Sequence, residues 1–405
     1  MPRVLIIGAG ITGLSAAYFL KKHCDVLLIE KSGKTGGWIQ TDVRGGFLCE
    51  QGPRGCRGVG QGEATLNLVH SLGIQDQLIE ANPLAKKRFI WTDGRLEALS
   101  PSFLFKKGLI RECLFEFFRR KSQEEDESIA SFFSRRFGVK TAEILADAIT
   151  TGIYAGDIHT LSMRSCFPGL WEMESILRGY LFKRKKGGSI PLFSFKEGMV
   201  TLPLALEKNV QDHLLLRTEV LSYKNNKARL SNGKEVAYDY LIDTTPLKEV
   251  SKSSIALIHL GFDNDTIKNP GFGHLIPTGN DPHVLGVVYD SCLFPQQNKQ
   301  TKLTVMVGGA RFPEVVNTSK ERLIEIALSA LKRQMDIDER PSFVHSHLCK
   351  DAIPQYSVGH HRLIEEYEAK WKNHFFLGSS TEGVAVNCLI SQADRLAKKI
   401  ALELQ

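Results

Sequence analysis

The stretch Val4-Leu-Ile-Ile-Gly-Ala-Gly-Ile-Thr-Gly-Leu-Ser-Ala-Ala-Tyr-Phe-Leu20, continued by Val26-Leu-Leu-Ile-Glu30, decides the fold. Its first apolar run is typical of a buried strand, and Gly8, Gly10 and Gly13 separate that run from an amphipathic helix pattern. The second apolar run ends in an acid that lies 22 residues after the first glycine. Together, the strand, glycine turn, helix, second strand and terminal acid predict a βαβ dinucleotide-binding unit rather than an ordinary glycine turn.

Each part of this unit has a chemical task. Gly8 permits the tight turn, Gly10 lets the backbone approach a pyrophosphate, and Gly13 allows the helix to pack closely on the strand. The helix N-terminus supplies N–H groups and the positive end of a dipole for the phosphates. Glu30 is placed to accept hydrogen bonds from a ribose.

The composition limits the classes of protein that fit. The 405 residues suffice for roughly two to four domains, and 42% hydrophobic with 24% charged residues is ordinary for a globular protein. The net charge of +7 suits an anionic ligand or an acidic membrane surface, although many enzymes with neutral ligands share it. No stretch resembles a nucleic-acid-binding motif, and no apolar run reaches the ~18 residues of a membrane-spanning helix.

The cysteines and histidines do not predict a metal centre. The eight cysteines are scattered without a Cys-x-x-Cys pair, which favours reduced thiols in a cytosolic compartment. His345 with His347, and His360 with His361, have no acids at ligand spacing. The βαβ pattern begins almost at the first residue, so we expect no signal peptide and a cytoplasmic protein.

A second pair of glycines indicates which dinucleotide binds. Gly36-Gly37-Trp38 follows the ribose acid closely, and only glycine lets a backbone pass flat beside a second phosphate or an adenosine. This arrangement resembles the amine-oxidase-like flavoproteins, in which such a pair helps to hold FAD. The loop Gly52-Pro53-Arg54-Gly55 would place an arginine near the flavin or its diphosphate, and a surface loop with a solvated arginine is the alternative.

Two features between residues 85 and 193 have more than one interpretation. Arg88 stands at the mouth of an apolar strand, where it suits a carboxylate ligand or is simply a charged strand edge. A basic, Phe-rich stretch from Leu99 to Arg120 and a second from Tyr180 to Gly188 favour core helices, but they also suit an anionic bilayer surface.

The rest of the chain alternates strand and helix patterns. Helices are predicted over residues 64–80 and from Lys320 to Met335. Gly308, after an apolar strand, would let a planar ligand approach the backbone, although a bulge or turn explains it as well. The segment Phe375 to Val386 predicts a strand and a turn, and a final helix from Asn387 to Leu404 would point its N-terminus at the flavin.

The predicted fold class is α/β: a Rossmann-type FAD-binding domain assembled from discontinuous segments, with an α+β substrate domain and an inserted helical subdomain. The expected boundaries are residues 1–84, 194–247 and 366–405 for the FAD-binding domain, 85–193 for the helical insertion, and 248–365 for the substrate-binding domain.

Internal motifs resemble the protoporphyrinogen oxidase family of FAD enzymes over nearly the whole chain and in the right order. The matching stretches are Gly36-Gly-Trp-Ile39, Glu50-Gln-Gly-Pro-Arg-Gly55, Arg164-Ser-Cys-Phe-Pro168, Gly271-Phe-Gly-His-Leu-Ile-Pro277, Val284-Leu-Gly-Val-Val-Tyr-Asp-Ser291, Ile353-Pro-Gln-Tyr356 and Glu382-Gly-Val-Ala-Val-Asn387. The resemblance implies oxidation of a porphyrinogen, a tetrapyrrole, to protoporphyrin IX by three two-electron transfers to FAD. O2 is the implied final acceptor, with a quinone-linked acceptor left open, and we assign no catalytic acid or base.

The resemblance also implies site residues. It places flavin contacts at Gly8, Ala9, Gly10, Ile11, Thr12, Gly13, Glu30, Lys31, Gly37, Trp38, Gly52, Pro53, Arg54, Gly55, Val220, Ser379, Val384, Ala385 and Val386. Arg88 matches the arginine that family members offer to a substrate propionate, and Gly308 is the other substrate-side candidate. The insertion would attach peripherally to the inner face of the cell membrane, and a homodimer stays open. Cys388 departs from the aspartate that the family often has there.

Three alternatives remain. Coproporphyrinogen III oxidation to coproporphyrin III would need further cationic groups, because that substrate carries four propionates. Amine oxidation or carotenoid desaturation uses the same cofactor fold. A binding protein that keeps the fold without turnover is the non-enzymatic interpretation, and the intact C-terminal flavin motif argues against it.

Overall fold

The computed structural model describes residues 1–109, 124–173, 192–371 and 373–404. The basic stretch from Tyr180 to Gly188 and the second half of the Phe-rich stretch, residues 110–120, lie outside these residues. The strands are β1 (Arg3–Ile7), β2 (Asp25–Ile29), β3 (Thr41–Arg44), β4 (Phe47–Glu50), β5 (Leu78–Glu80), β6 (Phe89–Thr92), β7 (Arg95–Ala98), β8 (Phe193–Phe195), β9 (Leu214–Leu215), β10 (Val220–Lys224), β11 (Lys227–Leu230), β12 (Glu235–Ala237), β13 (Tyr240–Asp243), β14 (Lys252–Phe262), β15 (Gly273–Leu275), β16 (Val284–Val288), β17 (Thr301–Gly308), β18 (Phe343–Pro354) and β19 (His374–Phe376).

The helices connect and cover these strands. They are α1 (Ile11–Leu20), α2 (Gly62–Ser71), α3 (Pro101–Lys106), α4 (Ile129–Phe137), α5 (Val139–Thr141), α6 (Asp147–Tyr154), α7 (Met163–Cys166), α8 (Pro168–Trp171), α9 (Thr201–Val210), α10 (Asp290–Leu293), α11 (Lys320–Met335), α12 (His360–Lys370) and α13 (Val386–Glu403).

A five-stranded parallel sheet forms the first half of the molecule. Its strand order is β19-β13-β1-β2-β9, so β13 and β9 flank the two strands of the βαβ unit, and the C-terminal strand β19 joins the sheet through β13. Leu5 lies between Leu27 and Leu241, and all three side chains pack in one cluster with the small β10-β11-β12 sheet. The opposite face is covered by α1, α9 and α13, which share a second buried cluster. This three-layer arrangement is the predicted Rossmann-type domain.

The second half is a seven-stranded sheet of order β18-β14-β17-β16-β15-β6-β7. All of its neighbouring strands are antiparallel except β15 and β6, which are parallel. Helix α11 packs on it through Leu323, Ala327 and Leu331, which belong to the main cluster of this half. Its bounds, Lys320–Met335, agree with the prediction.

Two local expectations were wrong, and long-range pairing explains both. The helix predicted over 64–80 ends at Ser71, and residues 78–80 form β5, which pairs with β8. Residues 89–98, assigned to the helical insertion, form β6 and β7 of the seven-stranded sheet. In both cases the partner strand lies more than 100 residues later in the chain, where local periodicity carries no information about it.

Candidate active site

The carboxyl edge of the parallel sheet brings four chain segments together. Beyond the ends of β1, β2, β13 and β19 stand Gly8, Glu30, Thr244 and Gly378, respectively. The Gly8 N–H donates to the carbonyl of Ile29 at 2.8 Å, and the Thr244 hydroxyl donates to the carbonyl of Ile7 at 2.8 Å. Ligands of open α/β sheets bind outside this edge, so the first and last segments of the chain meet where a dinucleotide is expected.

The three glycines after β1 have different surroundings. A Cβ at Gly13 would lie 1.9 Å from the carbonyl oxygen of Gly8, so the helix and the turn touch backbone to backbone. A Cβ at Gly10 would meet nothing within 4 Å, although this residue is the N-cap of α1. The N-terminus of α1, which includes Ile11 and Thr12, has no side-chain cap and therefore presents N–H groups beside an open space.

Glu30 is held next to this turn. Its Oε2 accepts from the N–H of Ala9 and its Oε1 accepts from the N–H of Ser32, each at 2.8 Å. Each carboxylate oxygen can accept a further hydrogen bond, so the side chain can still bind ribose hydroxyls. Lys31 is exposed beside it, and Val220 packs at the edge of the cluster that holds Ile29. The residues predicted for the adenosine end are therefore close together.

The second glycine pair lies against the first turn. Gly36 and Gly37 have φ angles of +90° and +57°, a region that favours glycine. The Gly36 N–H donates to the carbonyl of Ala9 at 2.8 Å, and a Cβ at Gly37 would lie 3.4 Å from the Cα of Gly10. Trp38 follows with 45% of its surface exposed. The glycine pair therefore lies beside the turn from Gly8 to Gly13, and we call the two together the cradle.

The loop Gly52-Pro53-Arg54-Gly55 contacts Trp38, the residue directly after this glycine pair. A Cβ at Gly52 would lie 2.1 Å from the carbonyl oxygen of Trp38, and one at Gly55 would lie 2.7 Å from that of Phe193. Arg54 lies between these two close contacts, and its Nε donates to the carboxylate of Asp290 at 3.1 Å. Arg54 is therefore not the solvated surface arginine of the alternative interpretation.

The C-terminal turn from Gly378 to Ala385 is fixed by side chains that the sequence did not single out as site residues. The Gly378 N–H donates to Oε1 of Gln392 at 2.9 Å, and the Gln392 amide donates to the carbonyl of Glu382. The buried Tyr356 hydroxyl donates to the carbonyl of Ser379. The motif Pro354-Gln-Tyr356 was the only signal in the sequence that pointed to this residue.

Helix α13 begins directly after this turn. Val384 and Ala385 precede it, and Ala385 is its N-cap without a side-chain hydrogen bond. Like α1, this helix leaves its first N–H groups uncapped at the sheet edge. Cys388, in its first turn, donates to the carbonyl of Glu382 at 3.2 Å, and burial raises the pKa of its thiol. Where the resemblance implied an aspartate, this chain therefore has a neutral side chain that is hydrogen-bonded to the turn.

The two substrate-side candidates have different settings. Arg88 is exposed, and its guanidinium carbon lies 5.1 Å from the centre of the Phe272 ring. Although the side chain is exposed, neighbouring protein atoms partly desolvate its guanidinium, and this desolvation together with Arg57 lowers the pKa of Arg88. Among the described residues no carboxylate is paired with it. Gly308 has a φ of +120°, and a Cβ there would lie 2.8 Å from the carbonyl oxygen of Ser254. Backbone crowding therefore explains this glycine, and its contact with a substrate stays a prediction.

Two features are absent from the described parts of the chain. No group of three or more His, Cys, Asp or Glu side chains is arranged there to hold a metal ion. None of the helices there is both long and apolar enough to cross a membrane.

Comparisons with known proteins agree with this geometry. The family model for flavin-containing amine oxidoreductases matches residues 11–400. A protoporphyrinogen oxidase of Bos taurus is 32% identical over 98% of both chains, and a coproporphyrinogen III oxidase of Bacillus subtilis (strain 168) is 27% identical over 96% of both. A crystal structure from Exiguobacterium sp. 255-15 superposes with a TM-score of 0.83 over 99% of both chains at 23% identity.

Proposed function

The chain belongs to the flavin-containing amine oxidoreductase family and, within it, to the protoporphyrinogen oxidases, so it is an FAD-dependent oxidoreductase, and we propose that it converts protoporphyrinogen IX to protoporphyrin IX. The proposed reaction removes six electrons and six protons in three two-electron steps, with O2 as the final acceptor. Bound FAD supplies the electron-accepting group for each step.

The cradle at the sheet edge fits FAD. Two uncapped helix N-termini, those of α1 and α13, reach the same edge, and the space in front of Gly10 is open. The α1 end and Glu30 suit the diphosphate and the ribose, and the α13 end suits the flavin, whose reduced ring carries negative charge. This convergence of the first and last segments is the observation that carries the proposal.

Arg88 is the residue that we propose for substrate binding. It is a cation without a carboxylate partner among the described residues, and it lies on an aromatic ring. A guanidinium that has no carboxylate partner in the protein is suited to bind a propionate through paired hydrogen bonds. Arg57 is a second arginine near enough to influence Arg88, so two cations are available for the two propionates of protoporphyrinogen IX.

No protein acid or base is assigned to the reaction. Three buried titratable side chains near the C-terminal turn are held neutral: burial raises the pKa of Tyr356 and of Cys388, and burial lowers the pKa of His360. The pyrrole rings already activate the substrate, so these residues need only orient the reactants and exclude water.

Coproporphyrinogen III is the second candidate substrate, because the Bacillus subtilis relative is named for its oxidation. That substrate has four propionates and would need cations beyond Arg88 and Arg57. The test is purified protein in air with each porphyrinogen, followed by porphyrin fluorescence and by O2 consumption. We expect rapid protoporphyrin formation with O2 uptake. A protein without a yellow flavin spectrum would contradict the proposed function. Porphyrin formation that requires a quinone would contradict O2 as the final acceptor.

We also propose that the insertion contacts the cytoplasmic face of a membrane. Phe105 at the end of α3 is 74% exposed and Val139 at the start of α5 is 59% exposed, and each is followed by an exposed lysine. An apolar side chain beside a cation is suited to an anionic bilayer surface. Phe105→Ser should reduce binding to anionic vesicles, whereas Leu204→Ser, at a leucine of α9 that is 54% exposed, should not. Equal binding by both variants would contradict the proposal.

A further inference from the structure

A buried group of charges joins the two halves of the molecule. The Asp290 carboxylate accepts from Nε of Arg54 at 3.1 Å through Oδ1. Its Oδ2 accepts from the Thr304 hydroxyl at 2.6 Å and lies 3.2 Å from Nζ of Lys302. Arg54 belongs to the loop after β4, whereas the other three residues belong to α10 and β17 of the large sheet. Lys302 is only 1% exposed, so this is not a surface ion pair.

The backbone on both sides of Arg54 cannot move far. Gly52 touches the carbonyl of Trp38 and Gly55 touches that of Phe193, at distances where no side chain fits. The direction of the Arg54 side chain is therefore set by its own partners, and Asp290 is the acid that binds it. The Nη2 of Arg54 is buried and has no hydrogen-bond partner among the described residues.

The loop lies between the two ends of the proposed cofactor. On one side it contacts Trp38, which follows the glycine pair that touches Gly10. On the other side the carbonyl of Arg57 accepts from Nδ2 of Asn387 at 2.7 Å, and Asn387 is in the first turn of α13. Arg54 therefore occupies the stretch between the uncapped N-termini of α1 and α13.

Asp290 alone does not balance the two cations of this group. Although burial opposes ionisation, Lys302 and Arg54 lower the pKa of Asp290, so one carboxylate stands between two cations. Glu50 is a second acid close to both cations, and burial raises its pKa to about 7, so it neutralises them only in part at neutral pH. A buried surplus of positive charge is unfavourable unless an anion compensates it. FAD, with its diphosphate, is such an anion.

We propose that Asp290, supported by Lys302 and Thr304, is a positioning residue that holds the Arg54 guanidinium toward bound FAD. The inference rests on the use of FAD in the proposed function and not on the identity of the porphyrinogen. It gives Asp290 of α10, and Lys302 and Thr304 of β17, a role in binding the cofactor, although all three lie in the half of the molecule that contains the seven-stranded sheet.

The test is a double-mutant cycle on the affinity of the apoprotein for FAD, measured by quenching of flavin fluorescence. Asp290→Asn and Arg54→Ala should each raise the Kd for FAD about tenfold or more. If Asp290 acts through Arg54, adding Asp290→Asn to Arg54→Ala should change Kd by less than about twofold. Arg54→Lys, which keeps the charge but not the Nε–H donor, should also weaken binding about tenfold.

Asp281→Asn is the matched control. Asp281 is 2% exposed in the same half of the molecule and pairs with Arg333 at 2.7 Å, away from the loop of Arg54. This variant should lower the melting temperature of the apoprotein but leave Kd for FAD within twofold of wild type.

Three results would overturn the inference: an unchanged Kd in Asp290→Asn, an equal loss with and without Arg54, or wild-type affinity in Arg54→Lys. The last measurement decides the matter if Asp290→Asn does not fold. No porphyrinogen enters these assays, so a wild-type protein that binds FAD but does not oxidise protoporphyrinogen would refute the proposed function alone.

Discussion

The two sheets hold their functional residues in different ways. At the edge of the parallel sheet, backbone meets backbone: Gly8, Gly13 and Gly36 touch carbonyl groups or a neighbouring side chain so closely that a Cβ has no room. In the seven-stranded sheet, buried residues are also held by hydrogen bonds between side chains, such as those of His274 with Tyr289 and Gln334. We infer that Gly8, Gly13 and Gly36 at the sheet edge are sensitive to an added atom, whereas the buried side-chain networks of the seven-stranded sheet are sensitive to changes of charge and hydrogen bonding.

Gly13→Ala should have the largest effect, because the new methyl group would lie 1.9 Å from the Gly8 carbonyl oxygen. We expect little or no folded, yellow protein, measured as soluble yield and flavin absorbance.

Gly10→Ala is its matched control. This residue has a φ of −70° and open space around its Cα, so alanine should leave the apoprotein melting temperature nearly unchanged. The methyl group would project into the proposed pyrophosphate space, so FAD affinity should fall about tenfold or more. Normal FAD affinity in Gly10→Ala would show that the open space is not the cofactor site.

Glu50→Gln tests a buried carboxyl at the end of β4, the strand that precedes the loop of Arg54. Burial raises its pKa to about 7, with Met199 and Thr41 donating hydrogen bonds to it. Between the unfolded value near 4.5 and pH 7 the folded state binds more protons than the unfolded state, so rising pH removes stability. Over this range the wild type should lose up to about 3 kcal/mol relative to Glu50→Gln, at 1.36 kcal/mol per pKa unit.

The measurement is the free energy of unfolding in urea for both proteins from pH 4.5 to 8. A constant difference between them across this range would mean that Glu50 is already ionised at low pH.

Arg88→Ala should have the smallest effect, confined to the substrate. Loss of a charge-assisted hydrogen bond should raise KM for protoporphyrinogen about tenfold, while flavin reduction at saturating substrate changes less than threefold. Arg88→Lys should retain part of the affinity, because it keeps the charge without the paired donors. An unchanged KM in Arg88→Ala would remove the propionate role.

The same contrast explains what the sequence predicted. The βαβ unit follows local rules, and β1, α1 and β2 form where the glycines and apolar runs indicate. The last helix was expected from Asn387 and begins at Val386. The flavin contacts themselves stay predictions, but the segments that carry them do converge.

The sequence alone did not predict which distant side chains interact with each other. Arg54 and Asp290 are 236 positions apart, and the sequence around either residue does not predict that the two form an ion pair. The Tyr356 bond to Ser379 and the pairing of β6 with β15 are likewise set by the assembled fold. These features depend on which distant strands become neighbours, and periodicity within a window does not encode that.

The central claim is tested most directly by anaerobic mixing of the flavin-loaded protein with protoporphyrinogen IX or coproporphyrinogen III. Loss of the oxidised flavin absorbance and the rise of porphyrin fluorescence are followed in the same reaction. The account predicts that protoporphyrinogen IX bleaches the flavin at least about tenfold faster than coproporphyrinogen III at equal concentration. Faster bleaching by coproporphyrinogen III, or no bleaching by either substrate, would contradict it.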